Sequence, residues 1–431
     1  MNSSYSVADS TENLTVKYEN LYIIDGKIKY LTTDGSCQLP VANKWLNVHT
    51  WKPEIQLFDS SDTLEKYLKN HSLDEISLAV LSDNHFYGNV GHAIWDGFYG
   101  AYLGALKFGY EDENIQYITT DFSNTKTLAY EIAKKFFGEE NILNYHTLNP
   151  DKSTQIKTLI VGMGTASNLV MTQQYKLYGK PYDGVEKFKK RMYKRFNLNC
   201  NLSIGKRAII IDNKRYNSNE RESLRKAVDY FREKIDIKYI DWKNYPSFSN
   251  QLKELESVDI HISGPGTGMM YMPFLKKGAV NINLGYMERT QTNSARPNIF
   301  IKDCKYEDYI FPGWMEQSVC AGADYVSTLY YDRYNYNNLE TSQFIKIIDS
   351  AIMLLDNKII LENNLNKDAE IFKEYCRLCG HADKICNHLT NIAFFIEMFV
   401  AEHPKAVEPS FVNIKLLKEL KEKYNYNKYS Y

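Results

Sequence analysis

The chain has 431 residues, of which 44% are hydrophobic and 24% are charged, and these ordinary globular values exclude a wholly disordered protein. Its 52 lysines and arginines against 53 aspartates and glutamates give a net charge of −1, which argues against a protein that coats nucleic acid or an anionic membrane. At roughly 150 residues per domain, this length predicts two or three domains.

Nothing in the sequence is typical of a targeting or membrane-spanning segment. Residues 1–14 are polar and contain no apolar signal-peptide core, and no run reaches the roughly 18 apolar residues of a membrane span. The seven cysteines are odd in number and mostly scattered, which is typical of reduced thiols. We therefore expect a cytoplasmic protein.

Residues 1–200 are predicted to form an α/β domain with a β-rich start. Asp25-Gly26 is a hairpin signal between the apolar stretches 21–24 and 28–31. The continuous apolar run at 76–81 predicts a buried strand of a parallel sheet. Helices and strands then alternate: the predicted elements are helix 92–108, strand 115–119, helix 124–137 and strand 157–161.

A second α/β domain is predicted at 201–335, after a charged helical stretch at 180–200. Its predicted elements are strand 207–211, helix 220–234, strand 237–240, helix 247–256, strand 258–263, helix 269–275 and strand 279–284. Residues 336–431 are mainly helical in pattern. Two such domains in series are typical of Rossmann-like domains facing a cleft, with ligands at the carboxyl ends of the strands.

Residues 82–96 follow the predicted strand at 76–81 and concentrate polar groups, with two histidines, two aspartates and two asparagines. His92 and Asp96 are four residues apart, so on an α-helix they share a face, and a carboxylate beside an imidazole tunes a general base. The alternative is a hydrogen bond at a helix start, with Trp95 in the core. The candidate side chains are Asp83, Asn84, Asn89, His92, Trp95 and Asp96.

Residues 263–268, Ser-Gly-Pro-Gly-Thr-Gly, connect a predicted strand to a predicted helix. Small residues with backbone N–H groups at a helix start favour an anion such as a diphosphate. No Gly-Lys-Ser/Thr follows, so this is not a Walker A loop. The alternative is a tight turn with no ligand. The candidates are Gly264, Gly266, Thr267 and Gly268.

Basic side chains flank the strand at 207–211. Lys214 and Arg215 follow it and Arg207 begins it, and they are candidates for further phosphate contacts. A solvated basic loop is the alternative. No Asp-x-Asp triplet occurs, which disfavours a transferase that holds its nucleotide through a metal ion. Cys376, Cys379 and Cys386 suit zinc by residue type but are poorly spaced, and helix-packing thiols are the alternative.

Two blocks of the sequence resemble family 61 glycosyltransferases. Residues 89–96, Asn-Val-Gly-His-Ala-Ile-Trp-Asp, resemble that family's Asn-x-x-His-Trp-type motif. The second block begins with Ser-Phe-Ser-Asn-Gln at 247–251 and continues through the turn at 264–268 to Gly-Ala-Val at 278–280. The family's turn is Pro-His-Gly-Ala-Gly, whereas here Pro265 is followed directly by glycine. The resemblance covers roughly residues 76–285. Many eukaryotic members of that family carry a membrane anchor, and the sequence shows no such segment, so we expect a relative of microbial or viral origin.

The resemblance implies a GT-B-like fold and an inverting, metal-independent glycosyltransferase without a cofactor. A nucleotide-sugar would bind the C-terminal domain, a glycan or protein hydroxyl would accept the sugar, and the tail would pack back on the N-terminal domain. His92 or Asp96, or less favourably Asp83, would act as base, with Asn84, Asn89 and Trp95 on the acceptor side. Gln251 would position the nucleotide or brace the turn. A nucleotide-sugar epimerase and a non-catalytic sugar- or nucleotide-binding scaffold remain alternatives.

Overall fold

The computed structural model describes residues 2–8, 15–45, 49–83, 88–111, 113–119, 127–162, 183–202, 205–285, 287–289, 308–310, 323, 325–331, 338–358, 419–420 and 422–423. The chain divides into two compact units. The first comprises residues 1–169 and 190–197, and the second comprises residues 170–189 and 198–431. Each unit contains its own sheet.

The first unit is built on an eight-stranded mixed sheet. Its strands are β1 (Ser4–Val7), β2 (Val16–Ile24), β3 (Lys27–Thr32), β6 (Glu54–Leu57), β7 (Leu73–Leu81), β8 (Gln116–Thr119), β9 (Ile142–Asn144) and β10 (Ser153–Val161); β4 (Ala42–Trp45) and β5 (His49–Trp51) form a separate pair. The order across the sheet is β6, β3, β2, β10, β7, β8, β9, and β1 pairs with β2. The predicted β-rich start is therefore part of the same sheet as the predicted α/β strands.

The hairpin between β2 and β3 follows from its two turn residues. Asp25 and Gly26 both have positive φ, 54° and 70°, as the twist of a two-residue hairpin requires. This turn fixes the register that places Ile24 opposite Lys27. The predicted buried strand is also confirmed, because β7 pairs in parallel with both β10 and β8.

Seven described helical stretches accompany this sheet. They are Ser61–Lys69, Val90–His92, the π-helix Ala93–Phe98, Tyr99–Lys107, Leu128–Phe137 and the 3₁₀ helices Glu139–Asn141 and Tyr145–Thr147. Thr127 caps helix Leu128–Phe137 by accepting a hydrogen bond from the Tyr130 N–H, and Gly138 ends that helix with φ 99°. A further helix, Gly184–Arg195, contains the change from the second unit to residues 190–197 of the first.

The second unit is built on a five-stranded sheet. Its strands are β11 (Arg207–Ile211), β12 (Asp236–Ile240), β13 (Ile260–Ser263), β14 (Val280–Asn283) and β17 (Ser327–Tyr330); β15 (Met287–Arg289) and β16 (Asp308–Ile310) form a separate antiparallel pair. The order across the sheet is β12, β11, β13, β14, β17, and every neighbouring pair is parallel. The described helices are Ser218–Phe231, the 3₁₀ helix Trp242–Asn244, Phe248–Leu255, the 3₁₀ helix Met269–Phe274 and Thr341–Leu355. This unit confirms a Rossmann-like parallel α/β arrangement.

Apolar side chains at alternate positions of the second sheet bury one of its faces. Ile210, Ile262 and Ile282 pack with helix residues Leu224 and Phe344 in one core. Helix Thr341–Leu355 therefore belongs to the second unit's own core. The tail at 336–431 is predicted to pack on the N-terminal domain. For its first helix this prediction is wrong, because an apolar stripe on helix Thr341–Leu355 covers the second unit's sheet. Nearly all of the tail beyond it lies outside the described residues.

Across the described ranges, no helix is both long enough and apolar enough to cross a membrane.

Candidate functional site

Two of the predicted segments meet at the carboxyl edge of the second sheet. The basic loop, residues 212–217, follows β11, and the glycine turn, residues 264–268, follows β13. β11 and β13 are adjacent and parallel, so their carboxyl ends lie at the same edge. Open parallel sheets bind their ligands at this edge.

The glycines let the turn lie directly against the basic loop and β11. A Cβ on Gly264 would lie 2.6 Å from the Tyr216 hydroxyl, and one on Gly266 would lie 2.8 Å from Arg215 Nη1. Gly266 also has φ 115°, a conformation that side-chain-bearing residues rarely adopt. A Cβ on Gly268 would lie 3.1 Å from Ile211. Larger residues would therefore push the turn away from its neighbours.

Asn213 and Arg215 hold the glycine turn through one carbonyl. Asn213 Nδ2 and Arg215 Nη1 each donate to the Pro265 carbonyl oxygen at 2.8 Å. Asn213 Oδ1 also accepts from the Arg215 N–H, at 3.1 Å. A permanent positive charge thus lies beside Gly266, whereas Lys214 is exposed. Thr267 and Gly268 are partly exposed next to it, as an anion site requires.

Arg207 lies at the other end of β11, and its prediction as a donor contact is corrected. It begins the strand, so it is at the amino edge of the sheet, away from the glycine turn. Its guanidinium donates to Ser257 Oγ at 2.6 Å and pairs with Glu254 and Asp236. Arg207 is therefore part of an ion-pair cluster that ties β11 to the next elements.

Gln251 lies on helix Phe248–Leu255 and contacts the 3₁₀ helix that follows the turn. It is 2% exposed, which leaves no surface for a nucleotide. Its Nε2 donates to the Tyr245 carbonyl at 2.8 Å, and its Oε1 accepts from the Tyr271 hydroxyl at 2.5 Å. Tyr271 belongs to the 3₁₀ helix that follows the turn. Gln251 therefore links helix Phe248–Leu255 to that short helix.

His261 is a buried polar residue near the site that sequence reasoning missed. It is fully buried on β13, and its Nδ1 lies 2.9 Å from Asn281 Oδ1 on β14. Burial lowers the pKa of His261 to about 4, although contacts with Asn281 and with the Gly268 backbone oppose this shift. The ring is therefore neutral at pH 7. Its signal was a histidine and an asparagine at matching positions of two apolar strands.

The polar segment of the first unit lies at the carboxyl end of β7. Asp83 follows this strand and is 1% exposed. Asn89 caps the next helical turn, because its Oδ1 accepts from the Gly91 N–H at 3.1 Å. His92 ends that turn and is partly exposed. His92 therefore has the partial exposure that an acid–base group needs.

Trp95 and Asp96 lie in the helical segment that follows this turn. Trp95 is fully buried, with its ring 5.5 Å from that of Tyr99, so it fits the core alternative and offers no surface to an acceptor. Residues 93–98 form a π-helix and not the predicted α-helix, and the pairing of His92 with Asp96 stays a prediction. The Asp96 side chain and the whole of Asn84 lie outside the described residues.

The described ranges contain no cluster of three or more histidine, cysteine, aspartate or glutamate side chains that could hold a metal ion. Cys376, Cys379 and Cys386 lie outside these ranges, so the zinc hypothesis stays a prediction. Comparisons of the chain with protein-family models and with curated proteins find no match. The resemblance to family 61 glycosyltransferases therefore also stays a prediction from the sequence.

Proposed function

We propose that this protein is a glycosyltransferase that moves a sugar from a nucleotide-sugar donor to a hydroxyl of a glycan or protein. The observation that carries the proposal is the Arg215 guanidinium, held against the glycine turn at the carboxyl edge of a parallel sheet. A cation and a turn of small residues at this edge suit a diphosphate.

The diphosphate is the leaving group of the reaction, so its negative charge grows as the bond to the sugar breaks. A fixed guanidinium stabilises that charge, and in a partly water-excluded site this is a large contribution to catalysis. Arg215 takes this role in the proposal, Lys214 adds a mobile positive charge, and the backbone of Gly266, Thr267 and Gly268 approaches the phosphates. Because these groups carry the charge, no metal ion is needed.

The acceptor hydroxyl must lose its proton as it attacks the sugar. His92 is the favoured base in this proposal, because it is partly exposed and ends the turn that Asn89 caps. Asp83 and Asp96 are the other candidates. A GT-B arrangement, in which the two units face a cleft and transfer is inverting, is part of the proposal and comes from the sequence resemblance.

The test is turnover of a panel of nucleotide-sugars, with release of the nucleoside phosphate and gain of sugar by glycan or peptide acceptors measured by mass spectrometry. His92→Ala should lower kcat by roughly 10²- to 10⁴-fold, as expected for loss of a general base. Donor affinity should be unchanged, and the exposed His146→Ala is the matched control.

EDTA should leave the turnover of the wild-type protein intact, since Arg215 and the glycine turn carry the charge. Interconversion of nucleotide-sugars without an acceptor would identify an epimerase instead. Nucleotide or glycan binding that is unaffected by His92→Ala, with no turnover of any donor, would identify a scaffold.

A further inference from the structure

We propose that Arg221 is a positioning residue that fixes the basic loop, and through it holds Arg215 in place for a diphosphate ligand. This inference rests on the proposed function, in which Arg215 contacts the phosphates of the donor. Arg221 lies in the first turn of helix Ser218–Phe231, directly after the loop.

The Arg221 guanidinium donates to three parts of the basic loop. Nε donates to Asp212 Oδ1 at 2.9 Å, Nη1 to the Tyr216 carbonyl at 2.6 Å and Nη2 to the Asn213 carbonyl at 2.8 Å. These three acceptors lie at the beginning and near the end of the loop. One planar side chain thus fixes both of its flanks, which a single-point cation such as lysine cannot do.

Asp212 is held in turn by a second group. The Tyr239 hydroxyl on β12 donates to the same Oδ1 that Arg221 contacts. Burial by itself would raise the pKa of Asp212, but hydrogen bonds from Tyr239 and Arg221 hold it below the usual value. The carboxylate therefore stays ionised at neutral pH and remains an anchor for the guanidinium.

The loop carries the effect to Arg215 through Asn213. The Asn213 carbonyl accepts from Arg221 and from the Tyr216 N–H, while its side chain contacts both the Arg215 N–H and the Pro265 carbonyl. Movement of Asn213 would therefore displace the Arg215 backbone and loosen the contact with the glycine turn. Arg221 itself donates to protein groups on all three nitrogens, so its role is to position the loop.

The experiment measures binding of inorganic pyrophosphate by calorimetry to the wild-type protein, R215A, R221A, R221K and the double variant R215A/R221A. Arg225, one turn further along the same helix, is exposed and lies over the Tyr239 ring, so R225A is the matched control. Hydrogen exchange of the Arg215 and Tyr216 amides is measured on the same proteins without ligand.

R221A and R221K should each weaken pyrophosphate binding by roughly tenfold, a loss of about 1.4 kcal/mol in binding free energy, because Arg215 is then less well positioned. The double variant should bind no more weakly than R215A, because Arg221 acts through Arg215. Both amides should exchange about tenfold faster in R221A than in R225A.

Full affinity in R221K would overturn the proposal, because charge alone would then suffice. Additive losses in R215A and R221A, or unchanged amide exchange in R221A, would also overturn it. Absence of pyrophosphate binding by the wild-type protein, with amide exchange that responds to R221A as expected, would instead overturn the assignment of this edge as a diphosphate site.

Discussion

At the scale of single residues, Gly266 carries two requirements that can be separated by experiment. It has φ 115°, and a Cβ there would meet Arg215. Gly205 has nearly the same φ, 113°, but no described atom lies within 4 Å of the position its Cβ would take. Gly205→Ala is therefore a matched control that introduces backbone strain alone.

Gly266→Ala should lower the free energy of unfolding by roughly 1–3 kcal/mol through strain, as should Gly205→Ala. Only Gly266→Ala should also weaken nucleotide binding, because it displaces Arg215. Denaturant unfolding and nucleotide titration of both variants check this. Equal nucleotide affinity in the two variants would show that the contact between Arg215 and the turn is not needed for binding.

The buried His261 makes the free energy of unfolding depend on pH. Its pKa in the folded protein is about 4, below the ordinary value of 6.5, because burial disfavours the charged ring. Above pH 6.5 the ring is neutral in both states and contributes no pH dependence. Between pH 6.5 and pH 4 only the unfolded state binds the proton, so the folded state loses stability as the pH falls.

This residue should contribute a loss of about 2 kcal/mol in the free energy of unfolding between pH 7 and pH 5. His261→Gln should remove that part of the pH dependence, whatever its effect at pH 7. Urea unfolding at the two pH values measures it, with the exposed His146→Gln as control. An unchanged slope in His261→Gln would mean that the imidazole is not held neutral.

At the scale of elements, the Gln251 side chain connects helix Phe248–Leu255 to the 3₁₀ helix that follows the glycine turn. Gln251→Leu leaves the Tyr245 carbonyl and the Tyr271 hydroxyl without their present partner. The free energy of unfolding should fall by roughly 1–3 kcal/mol, because the Tyr271 hydroxyl is buried and the Tyr245 carbonyl contact is partly buried. Lys253→Ala, on the exposed face of the same helix, is the control.

Nucleotide affinity at a temperature where Gln251→Leu is still folded should stay within a few-fold of wild type. The buried side chain has no surface for a direct contact. A large loss of affinity in a folded, stable variant would restore Gln251 to the donor site.

The elements that the sequence predicted well are those with strong local signals. β11 begins and ends at the predicted residues. Its four apolar residues follow Arg207, and the loop after them is polar, so both ends have a clear signal. The hairpin at Asp25-Gly26 follows from turn chemistry. The π-helix Ala93–Phe98 was not predicted, because its apolar residues fit an α-helix equally well and only the packed backbone distinguishes the two.

Side-chain roles were harder to predict than elements. Arg207 and Arg215 have the same chemistry and stand eight positions apart, but they lie at opposite ends of the strand and its loop. The assignment of residues 207–211 as a strand shows at which end each arginine lies, whereas the residue type alone does not. Trp95 illustrates the same limit, because an aromatic residue beside polar ones suits either an acceptor surface or a core until burial is known.

At the scale of the whole molecule, the chain's division departs from the predicted boundaries. The predicted first boundary at residue 200 is close to 197, where the last segment of the first unit ends. Residues 170–189 nevertheless belong to the second unit, and helix Thr341–Leu355 completes its core. Periodicity shows that a helix has an apolar face but does not identify the sheet that covers it.

The proposed role of the glycine turn and Arg215 is to bind the diphosphate of a nucleotide-sugar. A thermal-shift screen of wild type and Arg215→Ala against UDP, GDP, CMP and their sugars measures this binding. A ligand at 100 times its Kd stabilises the folded state by about 2.7 kcal/mol, which raises Tm by several degrees. We expect a shift with one nucleotide class in wild type, and in Arg215→Ala a smaller shift that corresponds to roughly 10- to 100-fold weaker affinity. No shift with any nucleotide, or an equal shift in both proteins, would contradict this role.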